Sequence, residues 1–133
     1  MGDVAPAVWK KLLLNCTNAV AALTGMNGSA EVADANVERL LCDVMAEAIA
    51  VAHALGHAGL ELETCVRDMR EVLTRAGEGR ASMLQDFAAG RRTEIDALNG
   101  AVVRAAEGLT IAVPINRALH SLVKGWERTH GFA

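Results

Sequence analysis

The feature that most constrains the fold is a long stretch without proline in which apolar residues recur at helical spacing. The prolines are Pro6 and Pro114, so no residue between them fixes φ and removes a backbone donor. Within that stretch, residues 36–55 carry apolar side chains at intervals of three and four, the period of a helix with one buried face. No segment alternates convincingly between apolar and polar residues. The sequence therefore predicts an all-α fold, a compact helical domain.

Capping residues and helix breakers give the order of the predicted helices. These helices cover residues 6–23, 36–55, 60–75, 82–87 and 95–109, followed by a last helix with Pro114 in its first turn. Residues 24–28 are predicted to form a turn, and residues 110–113 are interpreted as a linker. Aromatic residues make up only 3% of the chain, so we expect an aliphatic core. Its predicted members on three helices are Val37, Leu40, Leu41, Val44, Met45, Ala48, Ala52, Leu55, Leu62, Val66, Met69, Leu73, Ile115, Leu119, Leu122, Val123 and Trp126.

Charge and cysteine usage exclude several classes of protein. The 13 basic and 16 acidic residues leave a net charge of −3, so the chain lacks the excess of positive charge that is typical of proteins that bind nucleic acid or anionic membranes. Cys16, Cys42 and Cys65 are far apart and odd in number, as expected of buried thiols in a reducing cytoplasm. No apolar run approaches the roughly 18 residues of a membrane span, and no signal-peptide pattern opens the chain. We expect a soluble, cytoplasmic protein.

Metal-binding and nucleotide-binding motifs find little support. His53 and His57 are four residues apart, but Gly56 between them should end the helix. The glycines at residues 77–79 follow a predicted helix rather than a strand, and a third glycine is missing. We therefore expect no metal site and no dinucleotide loop in this chain.

Polar residues on the first predicted helix are the first candidate site. Lys11, Asn15 and Asn18 lie within roughly 60° of one another on a helix that is otherwise largely apolar. Burying them without partners would cost several kcal/mol. One interpretation is that Lys11 extends to solvent while the two Asn side chains bridge neighbouring helices. The other is that the three residues form the wall of a cleft for a small polar ligand.

A second candidate cluster lies between residues 82 and 100. Ser82 could simply cap a short helix, and Glu94 and Asp96 could complement a helix dipole. The pair Asn99-Gly100 is less usual, because glycine inside a helix costs about 1 kcal/mol relative to alanine. Either a close helix crossing or a ligand lying against the backbone would explain that glycine.

These segments together resemble a known protein family. The segment WKKLLLNCTN at residues 9–18 resembles the opening helix of the C-terminal domain of ketopantoate reductases (2-dehydropantoate 2-reductases). SMLQD at residues 82–86, GRRTEID at 90–96 and the following NG resemble the family's most recognisable stretch, and PIN at 114–116 fits its P-x-N segment. The resemblance implies a helical domain of the kind found at the C-terminus of 6-phosphogluconate dehydrogenase.

The resemblance implies half of a two-domain oxidoreductase of pantothenate biosynthesis. In that family an N-terminal Rossmann domain holds NADPH, whose hydride reduces C2 of ketopantoate to give pantoate. We expect residues 1–133 to form one substrate-binding, catalytic domain, inactive alone because the Rossmann domain is absent. Its expected partners are a small 2-keto acid, a Rossmann domain in cis or trans, and a second copy of the chain. A non-catalytic helical dimerisation module and a binder of small carboxylates without chemistry remain alternatives.

The resemblance also implies roles for individual residues. Lys11 matches the proton donor, and Glu94 matches a residue that lies by the cofactor and helps to place that lysine. Asn15, Asn18, Asn27 and Ser82 match substrate-binding positions, with Ser82 on the substrate carboxylate.

The chain departs from the family pattern at two places. Ala19 stands where the family has its second Asn, which here comes one residue earlier, and residues 79–81 lack the usual Asn before Ser82. A related 2-keto acid is therefore an alternative substrate.

Overall fold

The computed structural model describes residues 4–133, and side chains from residue 7 onward. Over these residues the chain forms eight α-helices, one 3-10 turn at Ile95–Ala97 and no β-strand, which confirms the all-α prediction. The helices are α1 (Val4–Asn15), α2 (Asn18–Thr24), α3 (Gly28–Ala33), α4 (Ala35–Ala54), α5 (Leu62–Ala76), α6 (Ser82–Ala89), α7 (Asn99–Leu109) and α8 (Pro114–Thr129). In this part of the chain, no helix combines the length and apolar character that crossing a bilayer requires.

The core forms around α4, which packs against α1, α3, α5, α7 and α8. Its apolar stripe contributes Leu41, Val44, Met45 and Ala48, all at most 1% exposed. The other helices complete the same cluster with Leu13, Val20, Met69, Met83, Val102, Val103, Leu119 and Val123. Among the described residues no aromatic side chain is fully buried, as the low aromatic content led us to expect.

Three residues predicted to be buried are instead exposed. Leu55 follows the last residue of α4, and Leu62 is the first residue of α5. Both therefore lie beside the exposed connection between the two helices. Leu122 is 58% exposed because the buried stripe of α8 runs through Asn116 and Glu127 as well as through apolar residues. The prediction for Leu122 was wrong because polar residues were not expected to occupy core positions of α8.

The first predicted helix is broken into α1 and α2 at Cys16 and Thr17. The hydroxyl of Thr17 donates to the carbonyl oxygen of Leu14 at 2.6 Å, and the N–H of Val20 bonds to Thr17 rather than to Cys16. The freed carbonyl of Cys16 accepts a hydrogen bond from the Asn99 side chain at 3.1 Å. A side chain that enters the helical ladder in this way is a known cause of a sharp bend.

Helix α3 lies between the predicted turn at residues 24–28 and the second predicted helix, in a segment for which the sequence analysis predicted no helix. Asn27 caps it, since its side-chain oxygen accepts from the N–H of Ala30 at 2.9 Å. Gly28 begins the helix where α3 crosses α5, and a Cβ at this glycine would collide with the carbonyl oxygen of Leu73. Asp34 caps α4, which therefore begins one residue before the predicted start at residue 36.

The fifth predicted helix is also interrupted. The chain makes the 3-10 turn, changes direction at Leu98 and begins α7 at Asn99. Gly100 then lies against α8, where a Cβ would stand 3.1 Å from a ring carbon of His120 and 3.2 Å from the carbonyl oxygen of Ile95. A close helix crossing therefore accounts for this glycine.

Candidate functional site

A cleft of about 140 Å³ opens where the α1–α2 break meets α3, the end of α5 and the segment before α6. Its apolar lining comes from Leu14, Val72, Leu73 and Ala76. Its polar lining comes from Asn15, Thr17, Asn18, Glu31 and Arg80. A small cleft of mainly apolar surface with a few polar groups is typical of a site for a small ligand.

The break between α1 and α2 places two predicted substrate-binding residues in this cleft. Asn15 is the last residue of α1 and Asn18 the first of α2, and both are half-buried. Arg80 and Ala81 line the same cleft, and Ser82, which follows them, is exposed at the start of α6. The structure thus brings Asn15 and Asn18 together and brings the segment that leads into Ser82 close to them.

The other predicted site residues lie outside the cleft wall. Lys11 is exposed one turn before Asn15 and is not among the described residues that line the cleft. Its neighbour Lys10 is directed to α5, where its ammonium pairs with Asp68 at 3.1 Å. Glu94 is exposed, and its backbone oxygen accepts hydrogen bonds within the 3-10 turn. The side chain of Asn27 is engaged as the α3 cap.

Glu31 is a cleft residue that the sequence did not single out. Only 2% of it is exposed, and its Oε2 has no hydrogen-bond partner within the described part of the chain. Desolvation by burial raises the pKa of this carboxyl to about 7. Its segment was assigned to no predicted helix. The available signal was one acidic residue among the small and apolar residues GSAEVA.

A buried network of side chains holds the bend beside the cleft. The amide nitrogen of Asn99 donates to the carbonyl of Cys16 at 3.1 Å and to the side-chain oxygen of Asn116 at 2.9 Å. The amide nitrogen of Asn116 donates in turn to Glu47 at 3.0 Å. The Glu47 carboxylate also accepts the backbone N–H groups of Ile115 and Asn116, which satisfies two free donors at the start of α8. The orientation of Asn18 thus depends on contacts from α4, α7 and α8.

A second network fixes the segment that carries Glu94. The buried Glu127 accepts the N–H of Thr93 at 2.7 Å and its hydroxyl at 2.9 Å. Burial raises the pKa of Glu127, but the hydrogen bonds from Thr93 and Lys124 outweigh it and hold that pKa below its ordinary value. On the next turn, hydrogen bonds from His120 and Lys124 lower the pKa of Asp96. These contacts fasten the 3-10 turn to α8.

The three cysteines are free thiols; Cys16 and Cys65 are buried, as predicted, whereas Cys42 is only half-buried. No group of His, Cys, Asp and Glu side chains among the described residues is arranged to hold a metal ion. His53 lies in the last turn of α4 and bonds to the carbonyl of Leu60, whereas the ring of His57 lies 6.1 Å from that of Trp9.

Comparison with known proteins connects this arrangement to one family. The family model described as the C-terminal part of ketopantoate reductase PanE/ApbA matches residues 3–127. The 2-dehydropantoate 2-reductase of Halobacterium salinarum is 40% identical over 119 residues, which cover 89% of this chain and 39% of that protein. The corresponding protein of Pyrobaculum aerophilum is 34% identical over 127 residues, which cover 94% of this chain and 44% of that protein.

A solved structure gives the same result. The PanE/ApbA family ketopantoate reductase from Ralstonia eutropha JMP134 matches with a TM-score of 0.82 and 38% identity, covering 98% of this chain and 43% of that one. The chain spans about two fifths of the length of these relatives. It belongs to the ketopantoate reductase family and corresponds to the C-terminal domain of that family.

Proposed function

We propose that this domain binds a small 2-keto acid and donates the proton when that acid is reduced by NADPH, with ketopantoate as substrate and pantoate as product. The observation that carries the proposal is the cleft that Asn15 and Asn18 line together with Arg80 and Ala81, the residues that lead into Ser82. Membership of the ketopantoate reductase family supports the same assignment.

The chain's own residues do not fit a nucleotide. Residues 4–133 contain no β-strand, and hence no glycine-rich turn between a strand and a helix that could hold a pyrophosphate. The proposal therefore needs a nucleotide-binding domain in cis or in trans, and the bound nicotinamide nucleotide would supply the hydride. Exposed Glu94 is the residue of this chain assigned to face it.

The proposed binding roles follow from hydrogen-bond chemistry. The carboxamides of Asn15 and Asn18 can each donate and accept, so they can orient a keto acid without adding charge to the cleft. The hydroxyl of Ser82, together with the N–H groups at the start of α6, is suited to the substrate carboxylate. Both contacts would hold C2 at a fixed place beside α1.

The proposed proton donor is Lys11. Its ammonium lies one turn before Asn15, so a keto acid held by Asn15 would extend towards it along α1. An ammonium stabilises negative charge that develops on the C2 oxygen and can then transfer a proton to it. Lys11 is exposed in this chain, and a nucleotide-binding domain packed on this side would exclude water from it.

The test is to supply the chain with the nucleotide-binding domain of the Halobacterium salinarum relative and to measure NADPH oxidation with ketopantoate. We expect activity, and we expect Lys11→Ala to lower kcat by about 10²-fold or more, the usual contribution of a general acid. Lys10→Ala is the matched control: it removes a neighbouring ammonium that pairs with Asp68, so kcat should stay near that of the unchanged chain.

Full activity of Lys11→Ala would remove this residue as proton donor. If the supplied chain neither oxidises NADPH nor binds any 2-keto acid, the reductase proposal fails. A mass in light scattering that rises with concentration would then favour the alternative of a dimerisation module.

A further inference from the structure

The side chain of Glu31 is buried in the cleft, and none of the roles proposed above involves it. It projects from the short α3 helix, is 2% exposed, and lines the same cleft as Asn15 and Asn18. Its Oε2 has no hydrogen-bond partner within the described residues. The backbone N–H of Glu31 bonds to Asn27, so α3 forms without any help from the carboxyl group.

An unpartnered buried carboxyl is unfavourable for the fold. Leu14 and Leu73, which line the same cleft, offer it no hydrogen bond from their side chains. A buried polar atom without a partner costs free energy that an apolar side chain of the same shape would not cost. Retaining a carboxyl at this place is therefore explained best by a group that binds in the cleft.

We propose that Glu31 binds a hydroxyl group of the substrate and so selects a hydroxyl-bearing 2-keto acid over one that lacks the hydroxyl. The inference rests on the function proposed above, and it assigns Glu31 a specificity-determining role in the same cleft. It adds a carboxyl contact to those of Asn15 and Asn18.

The chemistry of the cleft favours a hydroxyl over other groups. A hydroxyl both donates and accepts, so it satisfies a protonated carboxyl as well as a carboxylate. Because burial raises the pKa of Glu31 to about 7, both forms are present near neutral pH. The carboxylate of the substrate would be repelled by ionised Glu31 and attracted by the guanidinium of Arg80, which lines the same cleft. The cleft of about 140 Å³ restricts the ligand to a small acid.

The test compares two acids of the same carbon skeleton. Ketopantoate carries the hydroxyl, and 3,3-dimethyl-2-oxobutanoate does not. Binding of each acid to the chain is measured by NMR titration for the unchanged protein, Glu31→Gln and Glu31→Met. Glu71→Met, which removes an exposed carboxyl of α5, is the matched control.

The unchanged chain should bind ketopantoate about tenfold more tightly, the effect of one hydrogen bond to a buried polar group. Glu31→Gln keeps a donor and an acceptor and should retain most of this preference. Glu31→Met should bind the two acids with affinities within about twofold of each other, and Glu71→Met should behave as the unchanged chain.

A second measurement does not depend on the Met variant being folded. The carbon resonance of the Glu31 carboxyl should titrate near pH 7 in the free chain. Ketopantoate should displace that titration, whereas 3,3-dimethyl-2-oxobutanoate should leave it in place. A purely structural role for Glu31 would give the same titration with either acid.

The outcomes separate this inference from the proposed function. If both acids bind, and the ratio of their affinities is the same in the unchanged chain and in Glu31→Met, Glu31 is not the specificity residue and the proposed function stands. If the unchanged chain binds neither acid, the proposed function fails and this inference fails with it.

Discussion

At the scale of single residues, Glu31 makes stability depend on pH in the direction opposite to that of an ion-paired carboxylate. Burial raises its pKa from an ordinary value of 4.5 to about 7 in the folded chain. Between these pH values the folded state holds a proton that the unfolded state has released. The free energy of unfolding therefore falls as pH rises through this window, by at most about 3 kcal/mol.

Urea unfolding at pH 4.5 and pH 8 measures this effect. We expect Glu31→Gln to remove most of the decrease, because the amide does not titrate, and therefore to be the more stable protein at pH 8. Glu71→Gln, at an exposed position, serves as the control and should follow the unchanged chain. Parallel pH profiles for the unchanged chain and Glu31→Gln would show that Glu31 titrates at an ordinary pKa.

Residue spacing predicted that Asn15 and Asn18 lie close together, but it did not predict that Glu31 lies in the same cleft. Asn15 and Asn18 could be predicted because they lie on one face of a helical segment, and the break between them preserves their proximity. Glu31 could not be predicted, because its burial comes from the crossing of α3 and α5 rather than from any pattern in its own segment. Substrate or cofactor contacts of all six predicted site residues remain predictions: Lys11, Asn15, Asn18, Asn27, Ser82 and Glu94.

At the scale of helices, α7 contains one glycine that packing requires and one that it does not. An added Cβ at Gly100 would press on His120 and on the carbonyl of Ile95, whereas one at Gly108 meets nothing within 4 Å. Gly100→Ala should therefore destabilise the domain by roughly 1–3 kcal/mol through overpacking. Gly108→Ala should stabilise it by roughly 0.5–1 kcal/mol, because alanine loses less backbone entropy in a helix.

Thermal or urea unfolding of the two variants decides between these expectations. Stabilisation by Gly100→Ala would mean that the α7–α8 contact has room for a methyl group, and destabilisation by Gly108→Ala would contradict the expectation for that position.

The helices also show which parts of the fold a sequence pattern can predict. Helix α4 could be located because its apolar stripe, its cap region and its final glycine are all local. The breaks at Thr17 and Leu98 could not, since each depends on contacts with other helices. Helix α3 was missed because it has only six residues and no apolar stripe.

At the scale of the whole molecule, the alkylation rates of the three thiols measure local and global unfolding of the domain. Cys16 is fully buried, and burial raises its pKa to about 12, while Cys42 is only half-buried. Because the thiolate is the reactive form, Cys42 should react first with an alkylating reagent at pH 8. Cys16 should react last, at the rate at which the whole domain unfolds.

Mass spectrometry of peptides from a time course of alkylation measures the three rates, and denatured protein, where all three should react alike, is the control. Rapid labelling of Cys16 in the folded protein would mean that the α1–α2 segment opens separately from the core.

The hydrogen bond from Asn99 to the carbonyl of Cys16 has a consequence for the order in which the domain matures during synthesis. The bend that sets Asn15 against Asn18 needs a side chain that leaves the ribosome only after most of the chain has been translated. A nascent chain that ends before Asn99 lacks the amide that holds this bend. The two asparagines are therefore synthesised early, whereas the hydrogen bond that holds the bend between them can form only after Asn99 has left the ribosome.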